Sequence, residues 1–456
     1  MSKQYSMRRA VYQAVRGFVD KGWQVGTSVD RAKRSLGMAD RDVATAVDLA
    51  ETVVRRLSTL DAVLVAFCSR PREKVEKELW SLAQVGAAQL MFRPDIPPHA
   101  AVGETVAVAD EIDRPQWKGF LNGMLRSIER SLSHTDVLEP SDRGAFVSGP
   151  GPSGSATAWC RFRKSVVDLL ADQAEWQSRA YGLPRWLVRR WNAADYADPL
   201  EEIMRACNAS PPLWLRVNPA VGSRGELVAA LDGAEPGPLD ESIRLPRAVP
   251  LSSVPGFNDG SCSVQDLTAM RAVDLLDPQD GETVLDFCAA PGGKTGHIAE
   301  RLAGSGRVIA TDVSPHRLKR VNSNIERLQL TNVETRVIER DGSRDPVGSF
   351  DAALIDAPCS NTGVLAKRPE ARWRVRPEDL DELPKLQQEL IRRAARTVRP
   401  GGRLVYSTCS IEAEENQAVV DAFLSSQPQW KRVEQSLYLP SGPGDGGFHA
   451  LLVRST

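Results

Sequence analysis

From about residue 260 onward the sequence alternates short β-rich runs with helical stretches, and this alternation constrains the fold more than any other feature. TVLDFC, a helix in which Ile298 and Leu302 lie one turn apart, and RVIATD make one strand–helix–strand unit. VETRVIERD, FDAALIDAP and GGRLVYSTCS supply further strands, with a long helical segment between Glu378 and Val398. Parallel neighbours need crossover helices, so the pattern predicts an α/β, Rossmann-like, doubly wound parallel sheet. In such a sheet ligands gather outside the carboxyl ends of the strands.

Those ends carry the chemically loaded residues. The first runs from Asp286 through Cys288, Ala289, Ala290, Pro291, Gly292, Gly293 and Lys294, where small residues let backbone N–H groups approach a ligand at a helix N-terminus. It matches neither G-x-G-x-x-G nor G-x-x-x-x-G-K-[ST], which argues against a nicotinamide enzyme and against a phosphate loop. Asp312 ends the second strand, 26 residues after Asp286. There a carboxylate can accept both ribose hydroxyls of a nucleoside cofactor; the competing reading is a cap before Ser314-Pro315. Asp341 ends the third strand, within reach of an adenine or as a plain turn residue. Asp356-Ala357-Pro358-Cys359 and Ser407-Thr408-Cys409 then place two cysteines at strand ends on the same edge. A lone cysteine is more often a small buried hydrophobe, but a pair on the ligand edge points to chemistry. On the residues alone Cys288 and Cys262 read as structural, and Cys68, Cys160 and Cys207 have no chemical company. Seven scattered cysteines without a C-x-x-C pair predict neither a disulfide framework nor a metal site.

Upstream, residues 1–135 read as an all-helical module: Val11, Ala14, Val15, Phe18 and Val19, then Val43, Val47, Val54 and Leu57, then Leu121, Leu125, Ile128 and Leu132 recur at helical spacing. Between Glu139 and Ser155 eleven of seventeen residues are Gly, Pro or Ser, predicting a flexible linker over 136–158. Residues 159–250 mix helix and short strand as a small α+β module, ahead of a catalytic domain over 251–456. Trp159, Trp176, Trp186 and Trp191 lie among arginines there, either as a base-stacking surface or as core beneath a solvated face. KRPEARWRVR, 367–376, carries five basic residues around Trp373 and is expected to contact nucleic acid. The net charge of −1 excludes a polycationic wrapper, so any phosphate binding must be local. No apolar run reaches bilayer length and the N-terminus has no apolar leader core, so a cytoplasmic location is expected.

CAAPGGKT, DAPCSNTG and YSTCSIEAEEN, in that order, resemble the signature motifs of the Sun family of RNA cytosine-5 methyltransferases, in particular its branch acting on bacterial 16S ribosomal RNA. IPPHAAVGETV and FLNGMLRSIER resemble the NusB-like helical RNA-binding domain of that branch, LPRWLVRRW and PPLWLRVNP its connecting module, and PGFNDGSCSVQD the entry to its catalytic core. The resemblance implies S-adenosylmethionine as cofactor, lined by 288–294, with Asp312 on the ribose, Asp341 near the adenine and Asp356 touching cofactor and target base. It implies Cys409 as nucleophile and Cys359 in product release, with a protonated Asp356 donating to ring nitrogen 3. RNA, as 16S rRNA or a small-subunit assembly intermediate, is the implied partner of a monomeric enzyme without membrane or metal. A transfer-RNA cytosine-5 methyltransferase and a non-catalytic ribosome assembly factor are the alternatives. Two departures stand out: Asn361 occupies the usual glycine of P-C-S-G-T-G, and DGGFHALL lacks the aromatic- and lysine-bearing ending of the branch.

Overall fold

The computed structural model describes residues 6–138, 144–149, 158–167, 172–194, 196, 198–245, 249, 253–302 and 304–456. Two units emerge, Met1–Ala209 with Arg368–Arg374, and Ser210–Lys367 with Val375–Thr456.

The first unit opens with seven helices: α1 (Met7–Lys21), α2 (Val25–Leu36), α3 (Asp40–Arg55), α4 (Leu57–Phe67), α5 (Lys77–Phe92), α6 (Pro98–Glu111) and α7 (Lys118–Ser131). Ser6 caps α1 through its side chain, and Gly22 ends it in the left-handed region that glycine adopts without strain. The stripe Val11, Ala14, Val15 and Phe18 is buried as its spacing predicts, whereas Val19 stays half exposed. Helix α5 is buried on nearly every side from Leu79 to Met91, so it is the central helix. Strands β1 (Leu132–Thr135), β2 (Phe146–Ser148) and β3 (Trp159–Phe162) follow as an antiparallel sheet in the order β1-β3-β2. The expected linker over 136–158 is therefore interrupted: Phe146 and Val147 are wholly buried, and their apolar side chains pair a strand against Arg161 and Cys160. Its 139–143 and 150–157 stretches lie outside the described residues. Helices α8 (Gln173–Tyr181), α9 (Arg185–Ala193) and α10 (Leu200–Ala206) complete the run. Trp159, Trp176 and Trp191 are core, with Trp159 stacked on Trp176 at 6.4 Å and edge-on to Tyr181 at 5.8 Å. For those three the core reading replaces the stacking one, while Trp186 stays part-exposed.

The second unit begins with β4 (Leu213–Val217), α11 (Arg224–Ala230), β5 (Glu235–Pro236), β6 (Ser242–Leu245) and β7 (Cys262–Val264), an antiparallel sheet in the order β5-β6-β4-β7. The stretch 159–250 is thus not one module. Its helices share a core with β3, while Arg216 of β4 reaches Glu300 beyond the expected boundary. Then come α12 (Leu267–Leu276), β8 (Thr283–Asp286), α13 (Gly293–Arg301), β9 (Arg307–Asp312), α14 (Pro315–Arg327), β10 (Val333–Val337), β11 (Phe350–Asp356), α15 (Ala371–Arg374, in the first unit), α16 (Asp379–Thr397), β12 (Val398–Thr408), α17 (Gln417–Ser426), β13 (Trp430–Tyr438) and β14 (Gly447–Arg454). The sheet order is β10-β9-β8-β11-β12-β14-β13. Strands β8 to β12 pair in parallel, but β14 is antiparallel to both neighbours because the 439–446 connection turns β13 and β14 into a hairpin. The expected parallel sheet is therefore mixed. Alternating side chains feed two cores: Leu285, Ile309, Ile355 and Leu404 face α16 and α17, and Val284, Val308, Leu354 and Val405 face α12 and α13. The order in which strands are added reverses between β8 and β11, which makes their carboxyl ends the ligand crevice of the sheet.

The basic segment 367–376 is pinned at its centre, while Arg368, Arg374 and Arg376 stay exposed. Arg372 is fully buried in the first unit and donates to the carbonyls of Arg55 (2.9 Å), Gly182 (2.9 Å) and Cys207 (2.7 Å) and to Oδ1 of Asn208 (3.1 Å). Trp373 Nε1 donates to the Val54 carbonyl at 2.7 Å, and Arg374 to that of Gly22 at 2.7 Å. In the second unit Lys367 is held by Asp266 and Asp445, and Arg376 by Asp379. Carbonyls left over at helix ends draw Arg372 and the Trp373 ring N–H inward.

Candidate active site

Asp286 ends β8 and is completely buried. Thr295 Oγ1 donates to its Oδ2 at 2.6 Å, while Oδ1 has no protein partner. Burial pushes its pKa up to about 7, with the charges of Asp356 and Asp312 adding and Thr295 and Lys294 opposing. An orphaned buried acceptor is costly unless a ligand donor meets it.

The loop after Asp286 is held from three sides. Ala289 N–H donates to the Thr311 carbonyl at 2.8 Å, Arg317 of α14 to the Ala290 carbonyl at 2.7 Å, and Arg216 of β4 to the Gly293 carbonyl at 3.1 Å. Gly292 sits at φ 101° with Val321 Cα 3.1 Å from where a Cβ would stand, so only glycine turns here. A Cβ on Gly293, by contrast, would meet nothing within 4 Å, leaving the start of α13 open to a ligand. Ala289 and Ala290 are buried, and burial raises the Cys288 thiol pKa.

Asp312 ends β9 almost wholly buried; its Oδ1 accepts from Ser314 N–H at 2.9 Å and its Oδ2 pairs with Arg317 at 3.2 Å. The cap of α14 is Ser314, so Asp312 bonds at the helix entry without being the cap residue itself. Asp341 lies elsewhere: β10 ends at Val337, and exposed Asp341 closes a turn by accepting from Ser343 N–H (3.0 Å) and Oγ (2.7 Å), bonds that lower its pKa.

At the adjoining strand ends Asp356 pairs with Lys294 at 2.7 Å and accepts from Ser407 Oγ at 3.3 Å. Burial opposes charge on Lys294, but Asp356, Cys409 and Asp286 outweigh it and hold its pKa above the ordinary value. The sulfurs of Cys359 and Cys409 lie 3.2 Å apart. The hydrogen bond to Cys409, then burial, hold the Cys359 pKa well above that of a free thiol, so it keeps its proton. Asn361 takes φ 65°, its Nδ2 donates to the Cys359 carbonyl at 2.7 Å, and its Oδ1 lies 3.3 Å from the Cys409 sulfur. The substituted residue thus keeps the glycine-type turn, since asparagine tolerates the left-handed region. The altered ending is also built in: a Cβ on Gly446 would stand 2.9 Å from Gly363 Cα, and one on Gly447 2.6 Å from the Thr408 carbonyl.

The profile of the 16S rRNA methyltransferase RsmB/F family matches residues 273–446, that of the NusB family 6–130, and that of the RsmF/B-like ferredoxin-like domain 183–252. Ribosomal RNA small subunit methyltransferase B of Klebsiella pneumoniae is 35% identical, over 100% of this chain and 99% of its own. The chain belongs to the RsmB family. The crystal structure of PH0851 is similar at TM-score 0.75 and 25% identity, covering 99% of this chain and 100% of its own. A methyltransferase homologue from Pyrococcus horikoshii gives TM-score 0.54 and 26% identity over 61% of this chain and 97% of its own. RsmB membership accounts for the order of the parts, a NusB-type helical region, a ferredoxin-like sheet and a Rossmann-like methyltransferase domain with a mixed sheet. Among the described residues no cluster of His, Cys, Asp and Glu could hold a metal ion, and no helix is long and apolar enough to cross a membrane.

Sequence reasoning missed three members of the site. Asn361 was read only as a departure in a turn. Ser407 was quoted without a role. Glu415, within EAEEN, was given no role but is wholly buried and bonded to both cysteine loops. Nothing in the three acids of EAEEN marks that Glu412 and Glu415 turn inward.

Proposed function

We propose that this chain forms 5-methylcytosine in small-subunit ribosomal RNA, as a cytoplasmic monomer, through a transient bond between Cys409 and cytosine carbon 6. The carrying observation is the 3.2 Å approach of the two sulfurs beside the Lys294–Asp356 pair at the sheet's ligand crevice. The orphaned Asp286 Oδ1 and the open start of α13 fit S-adenosylmethionine, held by 288–294 with Asp312 toward the ribose. When bound, it supplies a sulfonium-activated methyl group that carbon 5 takes.

Carbon 5 of cytosine is a weak nucleophile until a sulfur adds at carbon 6 and makes an enamine. Cys409, whose S–H points to Asn361 Oδ1 at rest, first loses that proton to solvent, from which it returns at the end of the cycle. It then adds at carbon 6 as a thiolate, while ring nitrogen 3 accepts a proton from the Lys294–Asp356 pair. The expected free protonated Asp356 becomes, in this geometry, a carboxyl relaying the lysine's proton. Bonded to carbon, Cys409 no longer accepts the hydrogen bond that holds the Cys359 proton, and Cys359 releases that proton to solvent. Cys359 then takes the carbon 5 proton, the C–S bond breaks, Cys409 leaves as thiolate, and nitrogen 3 returns its proton to the pair. One proton is released per methyl group, and both cysteines end as they began. The target cytosine must be unstacked to enter.

Replacing Cys409 with alanine is expected to abolish methyl transfer to rRNA while cofactor binding, by calorimetry, persists. Normal turnover in that variant would sink the reading. Bisulfite mapping of rRNA from cells with and without the protein locates the base.

A further inference from the structure

Strand pairing aligns Asp356 with Ser407 but stops short of the two cysteines, which stand where the backbone has left the sheet. Something else must set their separation. The residue following each cysteine is a serine, and both serines converge on one carboxylate. Glu415 accepts from Ser360 N–H at 2.8 Å, from Ser360 Oγ, from Ser410 Oγ at 2.5 Å and from Gln387 Nε2 at 3.1 Å. Gln387 also donates to the Pro358 carbonyl at 2.9 Å, and Thr362 Oγ1 receives Ile411 N–H at 3.1 Å, tying the loops a second time. Glu415 is itself anchored, since Tyr406 hydroxyl of β12 donates to its carbonyl at 2.7 Å. Burial raises its pKa against the pull of these donors. Both serine hydroxyls meet at Oε2, while Oε1 receives Ser360 N–H and Gln387 Nε2. A carboxylate accepts all four donors, whereas an amide would set its own N–H groups against two of them.

We propose that Glu415 is a positioning residue for the cysteine pair, receiving Ser360 and Ser410 together so that the sulfurs of Cys359 and Cys409 are held within reach of each other. The proposal rests on the reading of those cysteines as the reacting pair. It touches neither sulfur nor substrate, and acts through the two serines.

The test is Glu415→Gln in the full chain, read by single-turnover methyl transfer to rRNA, cofactor Kd, thermal unfolding, and the rate at which diamide couples Cys359 to Cys409, mapped by peptide mass spectrometry. In that coupling the two thiols lose two protons and two electrons, forming the S–S bond as diamide is reduced to its hydrazine. Displacement of one sulfur by about 1 Å is expected to slow transfer about a hundredfold and coupling about tenfold, with cofactor Kd unchanged. Unchanged coupling overturns the proposal, and so does a loss of coupling that comes only with loss of cofactor binding and early unfolding. Ser360→Ala and Ser410→Ala each remove one strut and are expected to give intermediate coupling rates; if Glu415→Gln does not fold, wild-type coupling in both serine variants overturns it. Wild-type protein that methylates no RNA, with coupling still slowed in Glu415→Gln, defeats the functional reading and leaves the positioning role standing.

Discussion

Cys359 and Cys409 differ in what surrounds them more than in what they are. Cys359 is a thiol held protonated by its neighbour and by burial. That asymmetry suits one sulfur for attack and the other for taking a proton later. Cys359→Ala is therefore expected to stall after addition, leaving a slower protein–RNA band on denaturing gels that requires Cys409; absence of the band removes the release role. Asp286 makes a second residue-scale expectation. Its folded pKa of about 7 lies above the unfolded value of about 3.9, so the folded state binds the proton more tightly. Its contribution to stability is complete below about pH 4 and is lost as pH rises through 7. Asp286→Asn should remove that slope, at most a few kcal/mol, from cofactor-free urea midpoints measured between pH 4.5 and 7.5. Both cysteines were legible in the sequence because strand ends announce themselves by position. Glu415 was not, because inward and outward acids look alike until the backbone turns.

At the scale of elements, strands and helices of the second unit follow the alternation of the sequence, because a buried strand flanked by crossover helices leaves an apolar run that little else can use. The two failures have a common cause. Phe146–Ser148 hides in a Gly, Pro and Ser-rich stretch, and Arg368–Arg374 reads as a basic surface. Each is held by partners its own composition does not announce, β3 for the one and helix-end carbonyls far along the chain for the other. Arg372 is the clearest case. Burial brings its pKa down to about 9, a direction that reflects the cost of holding a cation among carbonyls. Arg372→Ala would leave those buried acceptors without donors and is expected to cost about 3 kcal/mol or more, visible as a lower unfolding midpoint. Lysine cannot replace the planar fork and should recover little. A midpoint equal to wild type would refute the anchoring role.

For the molecule as a whole, 58 basic side chains against 59 acidic leave no net field to draw in RNA. Several arginines are also spent internally: Arg216 on Glu300, Arg393 on Asp345, Arg403 on Glu282. Affinity for RNA should accordingly depend weakly on salt, with a slope of log Kd against log salt well below the roughly ten counterions of a strongly electrostatic binder. Filter binding across a salt series checks this, and a steep slope would contradict it.

The hairpin at the end of the sheet has a consequence in time. Strand β14 lies between β12 and β13, and Gly446 and Gly447 press against the loops that carry both cysteines. Since β14 is the last strand of the sheet in chain order, it is also the last to leave the ribosome. A nascent chain can therefore fold its helical region and most of its Rossmann-like sheet while β12 still lacks its inner neighbour. The two cysteine loops are accordingly expected to reach their final packing only once β14 is paired beside β12.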